Sequence, residues 1–344
     1  MRGAHFCAGP DRLGAAPGAC GRIVGMRIVV LAGGIGGARF LAGVRAFAAA
    51  GGHEVTAIVN TGDDVTLHGV RICPDLDSVM YALGGGADPE RGWGRAGETW
   101  AVRDELAAYG AEPTWFGLGD RDLATHLVRT RMLAAGYPLS AVTEALCARW
   151  QPGIRLLPAT DDRMETHVVA TVDGEAAPRA LHFQEWWVRY HAEPPAQRFV
   201  FVDADQAKPA AGVLDALAAA DVVLLAPSNP VVSIGPILAV PGLRDALVAG
   251  TAPVAGIAPI IGGAPVRGMA DKCLTAIGVE VSAAGVGRMF GAAGDGGLLS
   301  GWLVDPVDAA TTVPGVRVLA RPLLMTDEAE TAAIVTDAIG LARG

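Results

Sequence analysis

The stretch RIVVLAGGIGGARFLAG, residues 27–43, governs how the rest of the chain is read. Arg27–Ala32 is a short apolar run rich in β-branched residues, the pattern of a buried strand. It runs into Gly33, Gly34, Ile35, Gly36 and Gly37, and then into a helical pattern over residues 38–50. A second strand is expected at 54–60. A strand, a glycine turn, a helix and a second strand in this order build a parallel sheet with helices on both faces. The alternation returns later, with strands expected at 199–202 and 221–226 around a helical stretch at 210–220. A further strand at 253–257 and a closing helix at 327–342 complete it. The expected fold class is α/β, a Rossmann-like, doubly wound, mostly parallel sheet.

Between the two halves the character changes. Helical patterns fill 99–150, and short strand-like pieces follow at 166–172 and 180–183. Six of the seven tryptophans fall between Trp93 and Trp187. The expected organisation is a core of 26–86 and 199–344, with 87–198 inserted as a helix-rich cap over the ligand edge. Residues 1–25 carry glycine, alanine, proline and scattered arginine without the apolar centre of a signal peptide. They read as a disordered extension, or as sequence ahead of a true start at Met26.

Composition narrows the function. With 344 residues, 51% apolar and 18% charged, the chain can bury a large core. A formal charge of −9 argues against a broad basic face for nucleic acid. It leaves phosphorylated ligands open, because a bound cation reverses the sign of a site locally. The five cysteines are scattered without any CxxC, as in reduced, structural thiols, so a cytoplasmic location is expected. No run approaches the roughly 18 apolar residues of a membrane span.

The glycine turn lets backbone N–H groups and a helix start approach a phosphate. It fails the dinucleotide fingerprint: counting from Gly34 and Gly36, Arg39 stands where the third glycine belongs. The second strand ends in Asn60, not in the acid that would hold an NAD ribose, so a nicotinamide cofactor is disfavoured. After Asn60 and Thr61 come Asp63 and Asp64, then Asp75 and Asp77 within Pro74-Asp75-Leu76-Asp77. Four carboxylates so close together repel one another unless a cation compensates them. Mg²⁺, which takes carboxylate and phosphate oxygens, suits this place, although aspartate also serves in turns and helix caps. Asp63 and Asp77 are also the candidates to accept a proton from a reacting hydroxyl.

Three further segments are candidates for substrate binding. In Gly119-Asp120-Arg121-Asp122, Asp120 is expected to cap the following helix, Arg121 to reach a phosphate, and His126 to lie one turn on. Ser228 and Asn229 follow the strand at 221–226, with Ser233 and Gly235 just beyond. Pro259–Gly263 follows the strand at 253–257. Three polar or glycine-rich turns after three strands suggest one composite cleft.

Taken together, these stretches resemble the CofD/FbiA family from Met26 onward. The carrying segments are GGIGGARFL at 33–41, VNTGDDVTLHGVRICPDLDSVMYALGGG at 59–86 and WFGLGDRDLATHLVR at 115–129. They continue as HFQEWWVRY at 182–190, APSNPVVSIGPIL at 226–238 and APIIGGAPVRGMAD at 258–271. The resemblance implies a Mg²⁺-dependent transferase of coenzyme F-420 biosynthesis. Such an enzyme moves a phosphoenolpyruvyl or phospholactyl group from its guanosine diphosphate adduct to the deazaflavin Fo and releases GMP. The actinobacterial branch implies the enolpyruvyl donor. By position, Asp63, Asp64, Asp75 and Asp77 correspond to metal and Fo-site acids, and the GDRD segment lines the Fo pocket. Gly34, Gly36 and the PSNP–SIGP loop would hold the nucleotide, and a homodimer is expected. Leu118 departs from some relatives, which carry a basic residue there. The alternative is a non-catalytic, sugar-nucleotide-binding regulator of the YvcK-like type. Against it stand PDLD, GDRD and the tryptophans, of which Trp93, Trp115, Trp186 and Trp187 are candidate walls for a planar acceptor.

Overall fold

The computed structural model describes residues 25–344; the reading of 1–25 as an extension lies outside all but the last of them. In chain order the first elements are β1 (Arg27–Ala32), α1 (Gly34–Gly51) and β2 (Glu54–Val59). The hairpin of β3 (Val65–Leu67) and β4 (Val70–Ile72) follows, then α2 (Pro74–Leu83), α3 (Ala101–Ala108), α4 (Asp120–Ala134) and α5 (Leu139–Trp150). Next come β5 (Arg155–Pro158), β6 (Glu165–Ala170), β7 (Arg179–His182), β8 (Ala196–Val202) and β9 (Val222–Leu225). The remaining strands are β10 (Val254–Ile257), the short pair β11 (Ile260–Ile261) and β12 (Ala264–Pro265), β13 (Gly301–Val304) and β14 (Arg317–Ala320); the helix Glu328–Arg343 closes the chain.

Seven strands form one sheet in the order β14-β13-β10-β9-β1-β2-β5, and every pair is parallel. This is the doubly wound α/β class expected from the sequence, with β9 in the middle and β1 beside it. Its inner strands are buried along nearly their whole length, as a parallel sheet covered on both faces requires. α1 packs against α2 and the closing helix, while helices Val213–Ala219, Gly235–Ala239 and Leu243–Ala249 pack on one another. Among the described residues no single helix is long and apolar enough to cross a membrane.

Four expectations need correction. The first helix begins at Gly34, inside the glycine turn, four residues before the apolar pattern at 38–50. The strand expected in the parallel sheet at 199–202 is the end of β8, which pairs antiparallel with β6 in a separate three-stranded sheet. Segment 87–198 contains β5, an edge strand of the central sheet, so it supplies core as well as cover. β13 and β14 were not expected: β13 opens on Gly301, a poor strand former, and β14 is an edge strand with mostly exposed side chains.

Candidate active site

β1 and β9 are neighbours, but β1 leads toward β2 and β9 toward β10. Their carboxyl ends therefore flank the crevice where open α/β sheets bind ligands. The Gly33 N–H donates to Ser228 Oγ at 3.1 Å, and the Ser228 hydroxyl donates back to the Gly33 carbonyl at 2.8 Å. A Cβ at Gly33 would lie 2.5 Å from Asp75 Oδ2 and 2.9 Å from Ser233 Cβ, so only glycine fits. Gly34 has φ +64° and nothing within 4 Å of a would-be Cβ, so it faces open space. Gly36 lies close to the Pro227 carbonyl. Asn229 accepts from the amides of Val231 and Val232 and so caps the π-helical turn Pro230–Ile234, where Ser233 is buried. Gly235 continues that turn into the next helix. The structure thus brings Gly34, Gly36, Ser228, Asn229 and Ser233 to one crevice.

Asn60, at the end of β2, organises the acids. Its Nδ2 faces Asp63 Oδ1 and Asp75 Oδ2, each at 2.9 Å, and the Val232 carbonyl at 3.2 Å, while its Oδ1 accepts from Gly62 N. Asn60 is fully buried and committed to the protein, so it positions groups and is not free to bind substrate as the sequence had suggested. Burial, followed by repulsion from Asp75, pushes Asp63 well above the usual carboxylate range. Burial also raises Asp75, to about 6, against hydrogen bonds from Asn60 and the Gly34 amide. Here two buried carboxylates share one amide and, among the described residues, have no cation of their own.

Asp64 points elsewhere. Its Oδ2 meets Arg71 at 3.2 Å and the Cys73 thiol at 2.9 Å, and burial still raises it to about 6. β7 and the residues after it close over this loop. His182 Nε2 donates to the Asp64 carbonyl at 3.2 Å, and Gln184 Nε2 donates to Asp63 Oδ2 at 3.2 Å. Thr61 Oγ1, Asp64 Oδ1 and Thr166 Oγ1 are buried around the loop without hydrogen-bond partners among the described residues.

Asp77 belongs to a second network, between α2 and α4. Arg129 is ion-paired with its Oδ1, and His126 Nδ1 lies 3.6 Å from its Oδ2. Burial raises Asp77, opposed by Arg129 and His126. Asp122 accepts from the Tyr81 hydroxyl at 2.5 Å and lies 3.5 Å from His126 Nε2. Burial works to raise Asp122 too, but the contacts with His126 and Tyr81 prevail and lower it. Asp77, Asp122 and His126 bring one candidate ligand atom each within 4.8 Å of one another. Arg129 can only donate, however, so its 3.1 Å contact makes His126 Nδ1 the acceptor and puts the ring proton on Nε2. The ring then has no lone pair for a metal unless the Arg129 bond breaks. The donor chemistry of Mg²⁺ fits the other site better: all-oxygen Asp63 and Asp75, with unpartnered Asp64 Oδ1 and Thr61 Oγ1 nearby.

The cap differs in detail from its reading. Asp120 begins α4 but caps α3, accepting from the amides of Ala101 at 3.1 Å and Val102 at 3.0 Å. The first amides of α4, on Arg121 and Asp122, are capped by Glu98, each at 2.8 Å. The Arg121 guanidinium donates to the Ala96 carbonyl, 3.3 Å away. Trp186 is core, with its indole N–H on the Pro194 carbonyl, so it is no acceptor wall. Trp93 is exposed and shares the Arg91 guanidinium with Trp100.

A family model described as 2-phospho-L-lactate transferase CofD matches residues 28–314. The chain belongs to the CofD family. Proteins named phosphoenolpyruvate transferase are similar to this family member along almost its whole length. The one from Nocardia farcinica is 63% identical, covering 92% of this chain and 95% of its own. The one from Thermobifida fusca is 64% identical over 92% and 98%, and that from Mycolicibacterium smegmatis 61% over 92% and 99%. A solved Bacillus halodurans protein shares the fold with TM-score 0.58 and 20% identity, over 91% of this chain and 99% of its own; a second structure of it is titled as a member of the UPF0052 family. At that identity the likeness speaks for the fold alone.

Sequence reasoning missed Glu98 and gave no individual role to Asp122, Arg129, Arg71, His182 and Gln184. The last two stand in the quoted HFQEWWVRY segment, but a histidine and a glutamine about 120 residues from their acid partners carry no spacing signal.

Proposed function

We propose that this CofD-family protein is a transferase of coenzyme F-420 biosynthesis. It moves a phosphoenolpyruvyl group, or its lactyl counterpart, from a guanosine diphosphate carrier to the ribityl hydroxyl of Fo, with GMP leaving. The observation that carries this reading is the Asn60-centred carboxylate pair, Asp63 and Asp75, set beside Gly33–Gly34 where β1 and β9 diverge. The names of the relatives supply the three-carbon group, and the family supplies the pathway.

Such transfers depend chiefly on positioning and charge neutralisation. Asp63 and Asp75 would hold Mg²⁺, which when bound neutralises charge on the diphosphate and on the leaving phosphate. The remaining work falls to the chain. The open Gly34 backbone and the turn at Ser228–Ser233 receive the nucleotide phosphates. Asn60 and Gln184 keep Asp63 oriented, and the cap excludes water. Asp77 is occupied by Arg129, so in this proposal it braces α2 against α4 and takes no proton.

The test is to incubate the purified protein with Mg²⁺, Fo and the guanylylated acid made by a coupled guanylyltransferase, and to follow the products by mass spectrometry. The expected result is Fo extended by one phosphorylated three-carbon acid, with GMP in equal amount. Absence of both products with each candidate acid would remove the reading.

A further inference from the structure

The transfer needs a proton acceptor, and the reading above gives Asp63 and Asp75 to the cation while Arg129 occupies Asp77. We propose that His167, oriented by Glu165, is the general base of the reaction. The proposal rests on the transferase reading above.

β6 is joined to the acidic loop through the Thr166 N–H, which donates to the Gly62 carbonyl at 2.6 Å. On its other face stand Glu165 and His167, with His167 Nε2 at 3.3 Å from Glu165 Oε2. The His182 ring packs edge-on against His167, with centroids 5.5 Å apart, and itself touches the Asp64 carbonyl. Among the described residues His167 meets Glu165 and, from β7, His182, while Arg163 and, from β4, Arg71 stand against Glu165. Arg71 links Asp64, at 3.2 Å, to Glu165, at 3.8 Å.

The two histidines differ in what they have free. His182 accepts from the Gln184 N–H at Nδ1 and donates from Nε2, so both nitrogens are used. His167 uses only Nε2. Its Nδ1 has no partner among the described residues, and the side chain is 24% exposed, enough to meet a substrate hydroxyl. Burial works against ionised Glu165, but His167, His182 and Arg163 outweigh it and hold the carboxyl at about 2. Glu165 therefore stays a carboxylate, and its contact with Nε2 favours the tautomer that carries its proton there and leaves Nδ1 as the acceptor. This is the orienting logic of an acid–histidine pair.

In the step, the acceptor hydroxyl oxygen bonds to phosphorus and its proton passes to His167 Nδ1. The bond from phosphorus to the nucleotide phosphate oxygen breaks, and that electron pair leaves with GMP. The imidazolium is stabilised by Glu165 and returns its proton to water at the exposed edge.

The experiment measures turnover against pH at saturating substrates for wild type, His167→Gln, Glu165→Gln and His182→Gln, with thermal midpoints recorded alongside. His167→Gln is expected to lose about 10²–10⁴-fold in kcat, to keep the KM for Fo, and to lose the limb on the acidic side of the profile. Glu165→Gln is expected to lose less and to shift that limb to lower pH, because imidazolium forms less readily without its carboxylate. Wild-type turnover and an unchanged limb in His167→Gln overturn the proposal. If that variant does not fold, an unmoved limb in Glu165→Gln overturns it instead. A wild-type protein inactive in the same assay refutes the transferase reading and this inference with it. A limb abolished in His182→Gln but intact in His167→Gln assigns the role to the wrong histidine and likewise overturns it.

Discussion

Two pairs of aspartates, Asp63 with Asp75 and Asp77 with Asp122, behave in opposite ways; all but the half-buried Asp122 are buried. Asp63 and Asp75 are drawn together by the neutral amide of Asn60, and both are pushed up by burial. Asp77 and Asp122 enclose His126 and have Arg129 against them. One pair brings its own cation and is complete as part of the protein. The other has none among the described residues, and its charge is balanced by protons or by something that binds. Burial alone therefore does not mark a functional acid; the informative feature is an uncompensated charge where a ligand can reach it.

The sharpest way to break this contrast is to remove a carboxylate from the open pair. Asp63→Asn is expected to cut turnover about a thousandfold or more, since cation-assisted stabilisation is worth several kcal/mol. The thermal midpoint without Mg²⁺ should stay the same or rise, because one member of a repelling pair is gone. Near-normal kcat, or a collapsed midpoint, would put Asp63 on the structural side of the comparison.

In the closed network the opposite is expected. Arg129→Met leaves Asp77 buried without its cation, which costs about 3–5 kcal/mol, read as a lower denaturation midpoint in urea. A shift smaller than about 1 kcal/mol would mean that Asp77 simply takes up a proton.

Acidity separates the pairs further. Asp64 and Asp75 are held at about 6 in the folded chain, above the value near 3.9 expected when unfolded. Between about pH 4 and 6 the folded protein holds protons that the unfolded chain has released. Without Mg²⁺, stability is therefore fullest below about pH 4, falls as pH rises through 6 and then levels off. Mg²⁺ should stabilise more at about pH 7.5 than at about pH 5, as thermal scans at each pH would measure. An equal Mg²⁺ effect at both values would contradict the assignment of Asp63 and Asp75.

The smallest effects are expected in the cap, where the leading segments of α3 and α4 exchange acids. Glu98→Ala and Asp120→Ala should each cost about 1 kcal/mol by loss of helix capping, the first loosening α4 and the second α3. Hydrogen exchange at the Arg121–Asp122 and Ala101–Val102 amides would report which helix each variant frees.

The glycine turn was legible because its reading needs only neighbours in sequence. Strand, turn and helix are adjacent, and the turn's place at the carboxyl edge follows from chain direction alone. Asn60 was singled out for its position after β2, but its commitment to three acceptors depends on Val232, 172 residues away. Asp120 was read correctly as a capping residue and assigned to the wrong helix, because a carboxylate before a helix start also sits beside the neighbouring helix.

Sequence by itself determined that this is a doubly wound α/β protein with acids at the end of its second strand, and its motifs pointed to the CofD family. Those are local properties: periodicity, turn chemistry and the order of short segments. Only the tertiary structure decided which aspartates are neutralised by Arg129 and which are not, that Gln184 reaches Asp63, and that Arg71 joins Asp64 to Glu165. Charge balance in a buried site is a sum over groups brought together from distant parts of the chain, and no spacing along the sequence encodes that sum.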